Sequence, residues 1–241
     1  MTDTHTDYIP ALRFGWLTSL YDPLIRWTMR EAVFKPRLVE QAHIQPGHRL
    51  LDLGCGTATL ILLIKQDHPE AEVVGLDGDS KVLALAITKI ATAGVHIKLD
   101  KGMAFDLPYP DHSFDRVFSS LLLHHLTLEQ KRQTLKEVFR VLQPGGELHV
   151  ADFGKPHNAV MVTVSLIVRW LEEAADNMKG LLPELIREAG FDGVEETARY
   201  STAFGTLSLL KAVKPRGKMK SEEDYQRRNP SHSARSPSSQ T

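Results

Sequence analysis

The stretch from Leu51 to Thr59 reads Leu-Asp-Leu-Gly-Cys-Gly-Thr-Ala-Thr, and it stands where a predicted strand meets a predicted helix. Gly54 and Gly56 permit a sharp turn and let the backbone approach a ligand closely. The helix that follows presents free backbone N–H groups, and ligands of open parallel sheets bind beyond the carboxyl ends of the strands. The turn is therefore a candidate ligand cradle, although many strand–helix junctions carry two glycines without binding anything.

Asp77 lies 25 residues after Asp52, at the end of the next predicted strand. A carboxylate there can accept hydrogen bonds from both hydroxyls of a ribose, each contributing roughly 1.5–3 kcal/mol. The alternative is a turn role, because Asp-Gly pairs are common in turns. The pairing with the glycine turn favours ligand binding, and Asp77→Ala is expected to weaken it with little loss of stability. Thr59 stands at the third glycine position of the G-x-G-x-x-G fingerprint, which disfavours an NAD-dependent oxidoreductase.

Candidates for proton transfer follow two later strands. His124 and His125 come after the fourth predicted strand, and imidazole suits proton removal from a phenol, an enol or an amine. Asp152 ends the fifth predicted strand. Two structural alternatives stay open. One histidine caps the next segment while the other packs in the protein, and Asp152 only accepts hydrogen bonds from backbone N–H groups of the loop. No group here has the spacing of a metal site, so no metal is predicted.

Strands and helices alternate along the chain, which predicts a doubly wound, mostly parallel α/β sheet. Hairpin spacing between the last two strands predicts that the last one runs antiparallel. The predicted strands cover residues 48–53, 72–77, 95–101, 114–120, 147–153, 194–200 and 206–213. The predicted helices cover residues 23–42, interrupted at Pro36, then 57–65, 80–93, a stretch starting at Thr127 and ending before Pro144, and 182–189.

Composition sets the class and the domain boundaries. The chain has 241 residues, and its net charge of −1 argues against a dedicated nucleic-acid binder. Its one cysteine, Cys55, excludes an intramolecular disulfide. The longest apolar stretch has ten residues, 159–168, whereas a bilayer needs about 20, and no secretory signal precedes the body. We expect helices over 1–45, the folded domain over 46–213, a disordered basic tail over 214–241, and a cytoplasmic location.

Four segments in order resemble the motifs of class I S-adenosylmethionine-dependent methyltransferases. They are Asp52–Thr57, Val74–Asp77, Leu107–Val117 and Arg140–Gly146, and the third is similar to the subgroup that contains ubiquinone and menaquinone C-methyltransferases. The likeness extends from about Tyr21 to Val213. It implies a Rossmann-like methyltransferase fold of seven strands, the last antiparallel, with the N-terminal helices as a lid and S-adenosyl-L-methionine as cofactor.

The same resemblance assigns roles to single residues. Asp52 would sit near the methionine moiety of the cofactor, and Asp77 would hold the ribose. The remaining cofactor contacts would come from the backbone of Gly54, Cys55 and Gly56, from Gly78 beneath the adenine edge, from Ser119 and Ser120 at the methionine end, and from the lid aromatic Tyr21.

Two positions depart from the family pattern. Ala58 stands where relatives often have glycine, and Met103 stands where they commonly have the aspartate that accepts a hydrogen bond from the adenine amino group. Met103 can pack on the ring but cannot accept that bond. The backbone of Ala104 and Phe105 is then left to read the adenine.

The absence of two sequence features narrows the range of possible methyl acceptors. No Asn/Asp-Pro-Pro-Tyr/Phe sequence follows the fourth strand, and the only cysteine lies in the glycine turn, so nucleobase methylation is disfavoured. The apolar insertion over 159–171 lies where such enzymes build acceptor pockets. We expect methyl transfer to a small, hydrophobic acceptor at carbon, oxygen or nitrogen. The alternative is a non-catalytic S-adenosylmethionine-binding regulatory or scaffold protein.

Overall fold

The computed structural model describes residues 30–158, 160–162 and 180–216. The predictions for Tyr21, for the lid before residue 30, for most of the insertion 159–171 and for the tail beyond residue 216 lie outside this part of the chain. Among the described residues, no helix combines the length and the apolar character needed to cross a membrane.

Besides the helical residues 160–162, the described part contains five α-helices and seven strands. The helices are α1 (Glu31–Glu40), α2 (Thr59–Asp67), α3 (Ser80–Thr92), α4 (Leu128–Val141) and α5 (Leu182–Glu188), with a short 3₁₀ turn at Leu123–His125. The strands are β1 (Arg49–Leu53), β2 (Glu72–Asp77), β3 (Lys98–Lys101), β4 (Phe114–Ser120), β5 (Leu142–Phe153), β6 (Asp192–Thr202) and β7 (Gly205–Val213).

All seven strands form one sheet in the order β3-β2-β1-β4-β5-β7-β6. The first five pair in parallel, and β7 runs antiparallel to both β5 and β6. The predicted seven-stranded, doubly wound sheet with an antiparallel last strand is confirmed. Strand order reverses between β1 and β4, and such a switch point opens a crevice at the carboxyl ends of the strands.

Helices cover both faces of the sheet because successive side chains of a strand point to opposite sides. In β1, Leu50 packs in a core that also contains buried residues of α1, α2 and α3. Its neighbours Leu51 and Leu53 pack in a second core, which contains buried residues of α4 and α5. Asp52 alternates with these two leucines, so it lies on the face that α1, α2 and α3 cover.

Two helix-end signals are confirmed. The Thr127 hydroxyl accepts a hydrogen bond from the Gln130 amide at 3.3 Å, and the Gln130 side chain accepts one from the Thr127 amide at 3.0 Å. This capping box begins α4. Gly94 follows the end of α3 with φ +68°, the left-handed conformation that glycine adopts most easily.

The predicted interruption at Pro36 is wrong, because α1 continues through this residue. Proline inside a helix removes one hydrogen bond and costs about 3 kcal/mol. Phe34 and Leu38, which flank it, are fully buried, and burying such side chains contributes about 1.5–3 kcal/mol each. The burial of these two side chains therefore outweighs the unfavourable effect of proline on the helix.

Several element boundaries differ from the prediction, and three of the differences are larger or lie near the glycine turn. The glycine turn extends to Ala58, whose φ of +60° is left-handed, so α2 begins at Thr59. Strand β3 was predicted from residue 95, but it pairs with β2 only from Lys98. Strand β5 begins earlier than expected, at Leu142, which pairs with Phe114 before a register shift.

Contacts with the folded body extend one residue past the predicted domain end at residue 213. Lys214 is only 6 % exposed. Its ammonium donates to the carbonyl oxygens of Phe139 at 2.6 Å and Leu142 at 2.7 Å. A cation among the last carbonyls of α4 is favourable because the C-terminal end of a helix carries partial negative charge.

Candidate functional site

The glycine turn lies between β1 and α2 and is tied to the end of β2. The amides of Gly54 and Cys55 both donate to the Leu76 carbonyl oxygen, at 2.8 and 3.0 Å. A Cβ on Gly54, whose φ is +70°, would lie 2.8 Å from Leu122 Cδ1, so this position needs glycine. A Cβ on Gly56 would meet nothing within 4 Å, so a ligand has room to approach the backbone there.

Asp77 at the end of β2 holds the turn in place. Its Oδ2 accepts a hydrogen bond from the Gly56 amide at 2.9 Å, and its Oδ1 accepts one from the Asp79 amide at 2.9 Å. Burial raises the pKa of Asp77, and the same two amides partly offset that rise. The predicted turn role is thus present. Each oxygen keeps a second lone pair with which to accept a ligand hydroxyl.

Asp52 is a buried carboxylate at the carboxyl end of β1. It is 1 % exposed, and neither of its oxygens has a hydrogen-bond partner among the described residues. Burial raises its pKa to about 7, the Lys35 ammonium opposes this rise, and the Asp77 carboxylate adds to it. Because an unpartnered buried carboxylate is costly, this one is suited to receive a cationic or hydrogen-bond-donating ligand.

Ser119 and Ser120 end β4, and Ser119 is paired in register with Leu53. Their hydroxyl oxygens are buried without a hydrogen-bond partner in the described part of the chain. Like Asp52, they lie at the switch point of the sheet. Asp52, Ser119 and Ser120 thus place unpartnered polar atoms near the carboxyl ends of the two strands that flank the switch point, where ligands of such sheets bind.

Met103 and Gly78 lie beyond Asp77, at the ends of β3 and β2. A Cβ on Gly78 would lie only 3.1 Å from Met103 Sδ, so the thioether packs directly on the glycine backbone. Ala104 is buried, and Phe105 is half-buried. A thioether offers no strong hydrogen-bond acceptor, so a ring system placed here would meet Met103 through packing.

His124 and Asp152 form a buried pair at the ends of β4 and β5. His124 Nδ1 lies 3.0 Å from Asp152 Oδ1, and the same carboxylate accepts hydrogen bonds from the amides of Leu123 at 2.8 Å and Phe153 at 2.7 Å. Burial by itself would raise the pKa of Asp152, but His124 and the Phe153 amide outweigh it and hold the pKa below its ordinary value. Asp152 is ionised and anchors the loop.

His125 stands at the exposed side of this pair, with its ring centroid 3.9 Å from that of His124. The protein packed around its ring and, after it, the neighbouring His124 lower its pKa to about 4. The His125 ring is therefore neutral at pH 7.

Cys55 is not a nucleophile in this arrangement. Its thiol is buried, and burial together with the Asp52 and Asp77 carboxylates raises its pKa well above the ordinary value. Within residues 30–158, 160–162 and 180–216, no three His, Cys, Asp or Glu side chains are grouped so that they could hold a metal ion.

Sequence reasoning missed two neighbours of the site. Lys35 of α1 lies close enough to influence Asp52, and Leu122 packs against Gly54. Lys35 stands next to Pro36, in a segment that the sequence marks only as helical. No signal in its type or spacing connects it with a residue 17 positions later.

Comparison with known proteins agrees with this geometry. Residues 50–146 match a family model described as a methyltransferase domain. A demethylmenaquinone methyltransferase of Listeria monocytogenes is 32 % identical over 186 residues, which cover 68 % of this chain and 78 % of the relative. An uncharacterized methyltransferase of Synechocystis is 30 % identical over 206 residues, covering 84 % of this chain and 93 % of that protein.

A solved structure shares the fold. A putative methyltransferase from Bacillus halodurans superposes with a TM-score of 0.60 and 20 % identity, over 75 % of this chain and 98 % of that one. This likeness concerns the fold alone, because identity is low.

Proposed function

The chain belongs to the S-adenosylmethionine-dependent methyltransferases, and we propose that it transfers the methyl group to a small, largely apolar acceptor by in-line displacement. The sulfonium group of the cofactor supplies an already activated methyl, so the protein's contribution is chiefly positioning and exclusion of water.

The residues at the switch point fit the cofactor. The second lone pairs of the Asp77 carboxylate would accept the ribose hydroxyls. The backbone of Gly54, Cys55 and Gly56, which is open at Gly56, would follow the amino-acid portion. The unpartnered carboxylate of Asp52 would receive its ammonium group. This buried carboxylate is the observation that carries the cofactor part of the proposal, since no described residue partners it and the ammonium group of a bound cofactor would.

The remaining contacts would lie at the two ends of the bound cofactor. Ser119 and Ser120 would border the methionine end with their unpartnered hydroxyls. Gly78 and Met103 would pack on the base, whose polar edge is left to the backbone of Ala104 and Phe105.

The His124–Asp152 pair is suited to accept a proton from the acceptor. Because Asp152 is ionised and can only accept hydrogen bonds, His124 Nδ1 carries the proton in their 3.0 Å contact. Its Nε2 is then the basic nitrogen, and a proton leaving an acceptor hydroxyl or ring carbon would pass to this atom. Asp152 is the positioning residue of this pair, and the neutral His125 ring would line the acceptor side.

The named relatives support a hydroxylated aromatic acceptor. A protein that is 32 % identical bears the name demethylmenaquinone methyltransferase, and an acceptor of that class must lose a proton on methylation. These names also favour an enzyme over the non-catalytic regulatory or scaffold alternative. We propose the cytoplasm as its location, because a free, buried thiol such as Cys55 suits a reducing compartment.

Transfer of a labelled methyl group tests the proposal. The full chain is incubated with labelled S-adenosylmethionine and either reduced naphthoquinones or fractionated cell extracts. We expect label in an apolar fraction. Cofactor binding in calorimetry without transfer to any fraction would favour the scaffold alternative instead.

Variants of the histidine pair locate the base. His124→Ala is expected to lower turnover by roughly 10²–10⁴-fold, the usual contribution of a general base, while cofactor affinity stays within a factor of two or so. Asp152→Asn, whose amide would donate to Nδ1 and reverse the tautomer, is expected to lower turnover comparably. Unchanged turnover in His124→Ala and His125→Ala would show that the pair is structural.

A further inference from the structure

Two charged side chains of α4 hold the loop that connects β3 with β4. Glu137 Oε2 accepts a hydrogen bond from the Leu107 amide at 2.9 Å. Arg140 Nη2 donates to the Leu107 carbonyl oxygen at 3.0 Å, and its Nη1 donates to the Tyr109 carbonyl oxygen at 2.7 Å. Both backbone polar groups of Leu107 are therefore bonded to side chains of one helix.

The same two side chains are bonded to each other. Arg140 Nε and Nη2 donate to the two carboxylate oxygens of Glu137 at 2.9 and 2.8 Å, and Nη1 also donates to Asp111 Oδ1 at 2.9 Å. Together with the two carbonyl contacts, these bonds use all five N–H donors of the guanidinium. The hydrogen bond from Arg140 holds the pKa of Glu137 below its ordinary value. Because the pairing is bidentate, it fixes geometry as well as attraction.

The loop residue held in this way directly follows the turn proposed to contact the base. Residues 103–106 form this turn, which is closed by a hydrogen bond of 3.1 Å from the Asp106 amide to the Met103 carbonyl oxygen. Ala104 and Phe105 are its two central residues, and neither of their amides has an acceptor within the described part of the chain. Both amides are therefore available to donate to a ligand.

The side chain at position 103 makes the direction of these amides important. The Met103 thioether offers no strong hydrogen-bond acceptor, so recognition of a polar ring edge is left to the backbone. A hydrogen bond weakens steeply when its angle falls below about 120°, so a backbone donor is selective only where its direction is fixed. The Gly102 amide donates to the Asp77 carbonyl oxygen at 3.1 Å before the turn, and Glu137 and Arg140 fix Leu107 after it.

We propose that Glu137 and Arg140 are positioning residues that set the direction of the Ala104 and Phe105 amides and thereby give cofactor binding its preference for adenine. They act through the backbone of Leu107 and not by contact with the cofactor. The proposal rests on the cofactor part of the proposed function and does not depend on the acceptor.

Two ligands that differ only at one edge of the base isolate this effect. S-adenosylhomocysteine carries adenine, whose N1 accepts a hydrogen bond, whereas S-inosylhomocysteine carries hypoxanthine, whose N1–H donates one. A backbone amide directed at N1 therefore favours the first ligand and opposes the second. Calorimetry compares both ligands on the wild type, Glu137→Ala, Glu137→Gln and Arg140→Met.

Two variants of the same helix serve as controls. Arg132→Met removes an ion pair with Glu188, whose partners are 42 % and 56 % exposed, about two turns before Arg140. Thr127→Ala removes the N-cap of α4 and therefore lowers stability at the opposite end of the helix. With thermal unfolding of every variant, these controls separate a loss of stability from a loss of base selectivity.

The expected result is a loss confined to the adenine ligand. Glu137→Ala and Arg140→Met should bind S-adenosylhomocysteine roughly threefold to tenfold more weakly, the size of one hydrogen bond, and S-inosylhomocysteine as the wild type does. Glu137→Gln, whose amide oxygen can still accept from Leu107, should keep part of the preference. Both controls should keep the wild-type ratio of the two affinities, although Thr127→Ala unfolds at a lower temperature.

Three results would overturn the inference: an unchanged ratio in both Glu137→Ala and Arg140→Met, an equal fall in the ratio in Thr127→Ala, or a wild type that binds the two ligands equally. A wild type that binds neither ligand would overturn the proposed function itself.

Discussion

The carboxylate of Asp77 and the backbone amide of Gly56 are joined by a hydrogen bond of 2.9 Å. This bond ties the end of β2 to the glycine turn after β1, although the two residues are 21 positions apart in the chain. The side chain proposed to hold the ribose therefore also shapes the loop proposed to hold the amino-acid portion. Loss of Asp77 should affect both.

Asp77→Ala is expected to weaken S-adenosylhomocysteine binding by roughly tenfold to hundredfold, because charge-assisted bonds to the ribose disappear. It is also expected to lower the free energy of unfolding by about 1–3 kcal/mol, since the amides of Gly56 and Asp79 lose their acceptor. The sequence alone predicted little loss of stability. Calorimetry and urea unfolding measure the two effects, with the exposed Asp67→Ala as control. Unchanged affinity would remove Asp77 from the site.

Gly54→Ala should be far more damaging than Gly94→Ala. Both residues have left-handed backbone, with φ of +70° and +68°, but an added Cβ at Gly54 would lie 2.8 Å from Leu122 while one at Gly94 would meet nothing within 4 Å. Left-handed alanine costs about 1–2 kcal/mol, and overpacking adds about 1–3 kcal/mol. Thermal unfolding of the two variants separates these contributions. Equal losses would show that Leu122 moves aside without cost.

Asp52→Asn is expected to stabilise the ligand-free protein at pH 8 while weakening cofactor binding. Burial raises the pKa of Asp52 from 3.8 to about 7, so the folded state binds this proton more tightly than the unfolded state does. The carboxyl therefore destabilises the fold above pH 7, by an amount on the order of a few kcal/mol. Its unfavourable contribution shrinks as the pH falls from 7 towards 4.

The pH dependence supplies the check for this carboxyl. The difference in unfolding free energy between Asp52→Asn and the wild type should be largest at pH 8 and should decline towards pH 4, as measured by urea unfolding. A difference that does not change with pH would mean that Asp52 titrates normally in the folded protein.

Lys214→Met should lower the free energy of unfolding by about 2–4 kcal/mol, because the carbonyl oxygens of Phe139 and Leu142 lose a charged donor. Methionine keeps most of the apolar stem, so the loss reflects the ammonium group. Lys98→Met, at a side chain that is 63 % exposed, serves as the control and should change stability by less than about 0.5 kcal/mol. Equal effects in the two variants would place Lys214 outside the fold's essential contacts.

Local patterns in the sequence were sufficient for most elements of the fold. The strands Glu72–Asp77 and Phe114–Ser120 were predicted to the residue. The first of them carries a β-branched run that ends at the turn signal Asp77-Gly78. The capping box at Thr127 was readable since both of its partners lie within one helical turn. Pro36 was misjudged because its local cost is outweighed by burial of Phe34 and Leu38, which a local pattern does not show.

The glycine turn and Asp77 could be recognised from sequence because the turn is a contiguous segment and Asp77 ends the next strand at a characteristic distance. Three other relationships depended on the tertiary structure. They are the electrostatic effect of Lys35 on Asp52, the bond between Asp152 and His124, 28 residues apart, and the contact of Lys214 with the end of α4, more than 70 residues away. Each of them joins different elements, so it depends on strand order, helix packing and the reach of single side chains. Periodicity specifies which face of an element is buried, but only the assembled fold determines which charged groups meet there.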